Sequence, residues 1–336
     1  MLRITLKLAA NDQSADSVGE LLMMVARVIR PFLALGAAAG LALAVASAGP
    51  ALAQQKPLTY RVINSSPGSL NTNFTLIMGE KDAVLVDTPF LRSDAYRLAG
   101  EILDSGKNLK TIIVTHGHPD HYFGAAVLKE VFPHAEVIAQ PEVVDNVWGG
   151  FRNRLEFWGP QIGVNAPVSA VMPTPFKEKS FLLEGREIQL VGPVQGDAVN
   201  STFVYVPSLK LVAAGDIIFN QQHIGFAAGL PQAQRTAWIA TTDRIAALTP
   251  DAVIAGHAVP TAPNDRSSLT FTRDYLARVD AAVKTAASAE EYAATMRAWF
   301  PTLDPAGFAT QGATVMRNRQ PRPAAGAAPV APAAAR

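Results

Sequence analysis

Three histidines and one aspartate lie within six consecutive residues, directly after an apolar run of the chain. That run, Thr111–Val114, has the composition of a buried strand, so the cluster occupies the loop at its carboxyl end. Neutral imidazole and carboxylate are the ligands that a divalent ion such as zinc prefers. A solvated histidine-rich turn is the alternative. The spacing favours a metal-binding loop whose candidate ligands are His116, His118, Asp120 and His121.

The order His-x-His-x-Asp-His after a strand resembles the signature of the metallo-β-lactamase superfamily. Four segments between residues 71 and 257 carry this resemblance in the family's order. They are the cluster itself, an opening hairpin that ends at Asp87, a strand that ends at Asp216, and a strand that ends at His257. The resemblance implies an α+β fold, the four-layer αβ/βα sandwich, with metal ions at one edge of two packed sheets.

The resemblance also implies two metal ions per chain, zinc by expectation, with iron or manganese as alternatives. Two such ions about 3.5–4 Å apart share a hydroxide and lower its pKa toward neutrality. Asp120 would have a second, catalytic role in orienting that hydroxide. The implied ligands are His116, His118 and Asp197 for the first ion, Asp120, His121 and His257 for the second, and Asp216 as the bridge.

Asp197 is a departure from the family pattern, which has Gly-His-Thr/Ser a few residues before a strand ending in Tyr-x-Pro. Counting back from Pro207 places Asp197 at the usual third histidine. No histidine lies between His134 and His223, so no small shift of the alignment restores one. A carboxylate can replace the imidazole, as in the alkylsulfatase branch of the superfamily. Alternatively, Asp197 caps a turn and the first metal is weakly held.

The leading functional interpretation is an enzyme, a metal-dependent hydrolase in which the bridging hydroxide attacks an ester, lactone, amide or related bond. One alternative is an iron-dependent oxidoreductase of the same superfamily. Another is a noncatalytic metal-binding protein with a degenerate site, for which Asp197 would be the reason. Metal analysis separates the three.

Two further groups of residues have open roles. His223 follows the Asp216 strand and is either a substrate-facing proton donor, and so catalytic, or an ordinary loop residue; His134 is expected on the surface. The segment 142–176 fits no simple alternation and combines aromatic residues with Arg152 and Arg154. It would either grip a substrate with an apolar body and an anionic or polar end, or form a helix packed by its own aromatics.

The composition of the chain limits the classes of partner that we expect. The formal net charge of +1 over 336 residues gives no indication of nucleic acid or of an anionic membrane surface as a partner. We therefore expect a small-molecule substrate, and the sequence leaves the oligomeric state open. The chain has no cysteine, so a metal site must be built from histidine and carboxylate.

The two ends differ in composition from the body. A basic flank, an apolar run from Phe32 and a small-residue exit at Ala53 predict a signal peptide over 1–53, with a start at Met23 or Met24 possible. A retained membrane helix is the alternative. Export to the periplasm or medium, with no stable membrane association after cleavage, follows. A catalytic domain over 54–316 and a disordered Ala/Pro-rich tail over 317–336 complete the predicted organisation.

The elements that must position the ligands alternate along the body. Extended segments near residues 59–63, 74–78, 83–87 and 136–139 are followed by others near 187–191, 202–206, 211–214 and 252–255. Helical patterns cover 93–105, 122–131, 234–248 and 267–285, and a capping box at 288–291 opens a last helix. Strands alternating with helices predict sheets covered by helices.

Overall fold

The structure, a computed structural model, describes residues 56–303. Within this range, strands with apolar side chains on both faces form two main sheets. The first sheet follows chain order. Its first two pairings are antiparallel and its last three are parallel. The strands are β1 (Thr59–Asn64), β2 (Asn73–Met78), β3 (Asp82–Val86), β4 (Asn108–Ile113), β5 (Glu136–Ala139) and β6 (Thr174–Pro175).

The second sheet has the strand order β12-β10-β9-β8-β7, and only the β10–β12 pair among these is parallel. A short parallel pair, β11 with β13, lies beyond the ends of β10 and β12. The strands are β7 (Ser180–Leu183), β8 (Arg186–Val194), β9 (Ser201–Val206), β10 (Leu211–Ala213), β11 (Phe219–Asn220), β12 (Ala252–Ile254) and β13 (His257–Ala258).

Six α-helices accompany the sheets within the described range: α1 (Arg92–Asp104), α2 (Ala125–Val131), α3 (Pro141–Ile162), α4 (Gln232–Ala247), α5 (Ser267–Thr285) and α6 (Ala289–Trp299). The predicted cap of α6 is confirmed, since the Ser288 hydroxyl accepts the Glu291 backbone N–H at 3.1 Å. The helix expected from Tyr122 begins only at Ala125, because the histidine-rich loop continues through Tyr122.

The buried apolar side chains form three large clusters, which define four layers, and one small pair, Ala289 with Ala293. Alternate residues of each central strand face opposite sides, so Ile77 faces the second sheet while Leu76 faces the helices α1–α3. In the second sheet Val204 faces the first sheet and Phe203 faces the helices α4–α6. The result is the predicted α+β, αβ/βα sandwich, with one apolar core between the sheets and one under each helical layer.

The segment that fitted no alternation, 142–176, contains most of the 22-residue helix α3, which retains Pro160 near its carboxyl end. No helix of the described residues is long and apolar enough to cross a membrane. The predicted signal peptide and Ala/Pro-rich tail lie outside the described residues, so the boundaries at 53, 54, 316 and 317 stay predictions.

Candidate metal centre

The candidate ligands lie in loops that leave neighbouring strands at one edge of the sandwich. The loop after β4 contains the cluster that ends in the short 3₁₀ turn Pro119–His121. Asp197 follows β8, Asp216 follows β10, and His257 begins β13 just after β12. The first sheet therefore contributes one cluster and the second sheet contributes three single residues, and the packing of the two sheets brings them together.

Two groups of four side chains have ligand atoms that lie within 4.8 Å of one another. Asp216 belongs to both groups, and its two oxygens divide between them. Oδ2 lies 3.5 Å from His116 Nε2, whereas Oδ1 lies 3.0 Å from His121 Nε2 and 3.2 Å from His257 Nε2. This is the geometry of a bridging carboxylate. The groups are His116, His118, Asp197 and Asp216, and Asp120, His121, Asp216 and His257.

One carboxylate behind the cluster orients histidines of both groups. Asp87 accepts the Thr115 hydroxyl and His121 Nδ1–H, each at 2.8 Å. Since the single hydroxyl proton of Thr115 goes to Asp87, its oxygen accepts Nδ1–H of His116 at 3.0 Å. With Nδ1 hydrogen-bonded in this way, each imidazole directs its Nε2 at the groups, where that atom would bind an ion once its proton is lost. Sequence reasoning missed Thr115, whose only signal was its place before His116.

His257 is fixed from three sides. Its Nδ1 lies 2.9 Å from the Leu70 carbonyl, and its ring stacks on Phe219 with centroids 5.3 Å apart. Gly256 permits this placement, because a Cβ there would overlap Asp216 Oδ1. The Nε2 atom consequently faces Asp120 Oδ2 at 3.1 Å as well as Asp216.

The donor set fits divalent ions, because it contains buried polar atoms that lack hydrogen bonds. His116 Nε2, both Asp197 oxygens and Asp216 Oδ1 are buried and form no hydrogen bond of good geometry, although imidazole nitrogens lie as close as 3.0 Å to the two carboxylates. Buried carboxylates without hydrogen bonds are rare and costly unless an ion pairs with them. His118 Nδ1 lies 3.0 Å from Asp197, so Asp197 reaches the first group as expected for a ligand.

Within the two groups, the charges of the carboxylates and imidazoles shift one another's pKa. Burial opposes protonation of His257, yet the Asp216 and Asp120 carboxylates outweigh burial and raise its pKa to about 10. Burial likewise opposes ionisation of Asp216, but the charges of His121, His257 and His116 hold its pKa well below the usual range. Protons on these imidazoles occupy the role that divalent ions would otherwise fill.

A pocket opens onto these groups, and we call it the cluster pocket. Besides the candidate ligands, its lining includes the guanidinium of Arg154 and several aromatic rings. His223 is not among its lining residues: it is buried, and its Nδ1 lies 2.9 Å from the Tyr275 hydroxyl. The structure thus places His223 away from the lining of this pocket, and its proton-donor role stays a prediction. The lining residues are Leu70, Phe90, His118, Pro119, Asp120, Arg154, Trp158, Asp197, Asp216, Phe219, Gly225, Phe226 and His257.

Residues 67–257 match the family model described as the metallo-beta-lactamase superfamily. The chain belongs to the metallo-β-lactamase superfamily. A curated relative, the atrochrysone carboxyl ACP thioesterase of Pseudocercospora fijiensis (strain CIRAD86), is 34% identical over 89 residues. That alignment covers 25% of this chain and 27% of the relative, so the chain spans only about a quarter of the relative's length.

Solved metallo-β-lactamase structures share the fold. A metallo-beta-lactamase family protein from Thermus thermophilus superposes with a TM-score of 0.56 at 19% identity, covering 77% of this chain and 91% of that one. The metallo-beta-lactamase from Pontibacter korlensis gives 0.50 at 16% identity, covering 66% and 95%. At these identities the likeness establishes the architecture alone.

Proposed function

We propose that this metallo-β-lactamase-superfamily chain is an exported, dinuclear zinc-dependent hydrolase that acts on an ester, lactone, amide or related acyl bond. The observation that carries the proposal is the pair of four-residue groups sharing Asp216, with buried ligand atoms that lack hydrogen bonds. A curated relative named as a thioesterase also favours acyl transfer to water.

The chain's own residues would divide the work by position. Bound at the two groups, the ions would supply Lewis acidity that lowers the pKa of water and polarises the bond under attack. Asp120 lines the cluster pocket, where its carboxylate would orient the attacking water. Phe90, Trp158 and Phe226 would exclude bulk water around the acyl group and strengthen these electrostatic contacts.

Metal analysis with matched variants tests the proposal. Purified protein should contain two zinc ions per chain by elemental mass spectrometry, and Asp216→Ala should bind at most one. Exposed His134→Ala is the control and should retain both. Chelation should abolish hydrolysis of aryl esters or lactones and zinc should restore it. Iron with redox activity, or protein that retains no metal, would contradict the proposal.

Export is proposed on the basic flank, the apolar run and the exit at Ala53. Protein recovered from a periplasmic extract should have an intact mass that begins at Gln54 or close by. Full-length chain in the membrane pellet would instead establish the retained helix.

A further inference from the structure

We propose that Arg154 makes the cluster pocket selective for substrates that carry a carboxylate at the end of an apolar body. This inference rests on the proposed hydrolase function and names its substrate class. Among the described residues, Arg154 is the one Arg or Lys that lines the pocket. The pocket's other lining groups are ligands and apolar residues, chiefly Leu70, Phe90, Trp158 and Phe226.

The two arginines of α3 have opposite surroundings. Arg152 is exposed over 88% of its side chain and forms an ion pair with Glu156, one turn along the helix, at 2.8 Å. Arg154 instead turns toward the metal-binding loop. Trp158, one turn further along, lines the same pocket and packs edge-on against Phe90 with centroids 5.4 Å apart.

Arg154 is held in place by Asn146, two turns earlier on α3. Its Nη1 donates to the Asn146 carbonyl at 2.9 Å, and its Nη2 donates to Asn146 Oδ1 at 2.6 Å. A guanidinium has five N–H donors in a planar fork; two go to Asn146 and one neighbours the Tyr122 hydroxyl, so two remain. A fixed, planar, permanently charged group suits recognition of a carboxylate, because little side-chain entropy is lost on binding.

Gly117, between the two histidines of the His-x-His motif, allows this arrangement. A Cβ at position 117 would overlap Asn146 Oδ1 and would lie 3.4 Å from Arg154 Nη2. Asn146 and Arg154 therefore pack directly against the backbone of Gly117, between the candidate ligands His116 and His118. This contact fixes the distance from the cation to the reacting centre.

The net charge of the proposed metal centre explains why a positive charge at Arg154 would matter. Two divalent ions and the carboxylates Asp120, Asp197 and Asp216 sum to a charge of +1, from four positive and three negative charges. A histidine in place of Asp197 would give +2, so this centre attracts an anionic substrate less strongly. Arg154 adds one positive charge to the pocket. This charge lies on the side of the aromatic lining residues and not among the ligands of the ions.

The test compares matched anionic and neutral probes on zinc-loaded protein. Calorimetry should show that 4-phenylbutyrate binds wild type roughly 10- to 100-fold more tightly than 4-phenylbutanamide, the range of a charge-assisted hydrogen-bond pair. Arg154→Gln should remove most of this preference, because it should weaken 4-phenylbutyrate binding far more than amide binding. Arg152→Gln is the matched control and should keep the preference. If Arg154→Gln does not fold, Arg154→Lys should still reduce it several-fold, because it loses the fork.

Equal affinity for the two probes, or a preference that survives in Arg154→Gln, would overturn the inference. Hydrolysis separates this outcome from failure of the proposed function. The 4-nitrophenyl monoester of glutaric acid should show a lower KM than 4-nitrophenyl butyrate in wild type but not in Arg154→Gln. If neither ester is cleaved while 4-phenylbutyrate still binds through Arg154, the hydrolase proposal fails and the carboxylate site stands.

Discussion

Asp197 is the residue whose chemistry sets this chain apart from the usual superfamily pattern. Both of its carboxylate oxygens are buried without hydrogen bonds, beside His116 and His118. A carboxylate in this state needs a cation, so we expect it to bind the first ion. Asp197→Ala should lower zinc from two ions to about one per chain by elemental analysis, whereas exposed Asp251→Ala should keep two. Unchanged zinc in Asp197→Ala would show that Asp197 only shapes the loop.

Thr115 matters because its hydroxyl connects Asp87 to His116. Thr115→Val keeps the shape of the side chain but removes the hydroxyl that orients the His116 ring. This change should weaken zinc affinity by about 10- to 100-fold. Thr115→Ser retains the hydroxyl and should bind zinc as wild type does. Competition with a chromophoric chelator gives the affinities; equal values for the valine and serine variants would contradict this role.

At the scale of elements, Glu184 joins the β7–β8 turn to the β2–β3 turn. Its carboxylate accepts the backbone N–H groups of Glu80, Lys81 and Asp82 at 2.6–2.8 Å, and these bonds lower its pKa. A carboxylate with a folded-state pKa below its unfolded value of about 4.3 stabilises the fold above that pH. This contribution disappears as the pH falls through the lowered pKa.

Glu184→Gln should therefore unfold at lower urea concentration than wild type at pH 7, and the two midpoints should converge as the pH falls below about 4. Exposed Glu178→Gln supplies the baseline for loss of a surface charge. A midpoint difference that does not change with pH would mean that the carboxylate charge contributes nothing to this connection.

Helices α4 and α5 are joined by an ion pair between a buried arginine and a partly buried aspartate. Arg235 Nε lies 2.5 Å from Asp280 Oδ1, and the Arg235 side chain is 4% exposed. Removing Asp280 leaves the buried Arg235 charge unpaired, so Asp280→Ala should cost about 3–5 kcal/mol in unfolding free energy. The double variant Arg235→Met with Asp280→Leu should recover most of that loss in urea titrations. A double variant as unstable as the single one would indicate that packing of the arginine stem dominates.

For the whole molecule, the sequence predicts most of the strands and the metal-ligand loops that follow them, because apolar periodicity and ligand spacing are local signals. It does not predict the short strands β6, β7, β11 and β13, of which all but β7 depend on pairing with distant segments. His116, His118, Asp120 and His121 are neighbours in sequence, and strand order brings the other ligands to them. The path of α3 was not predictable, because it depends on the close approach of Asn146 to Gly117 across two elements. The burial of His223 against Tyr275 also depends on tertiary packing alone.

The ligands extend from His116 in the loop of one sheet to His257 at the edge of the other. Because bringing together residues so far apart along the chain costs loop-closure entropy, we expect these contacts to form late in folding, after the two sheets have docked. Zinc should therefore stabilise the native state but not the transition state. In stopped-flow chevron measurements it should slow the unfolding limb and leave the refolding limb unchanged. Resistance to unfolding would then depend on the metal supply where the protein works, independently of how fast the chain folds.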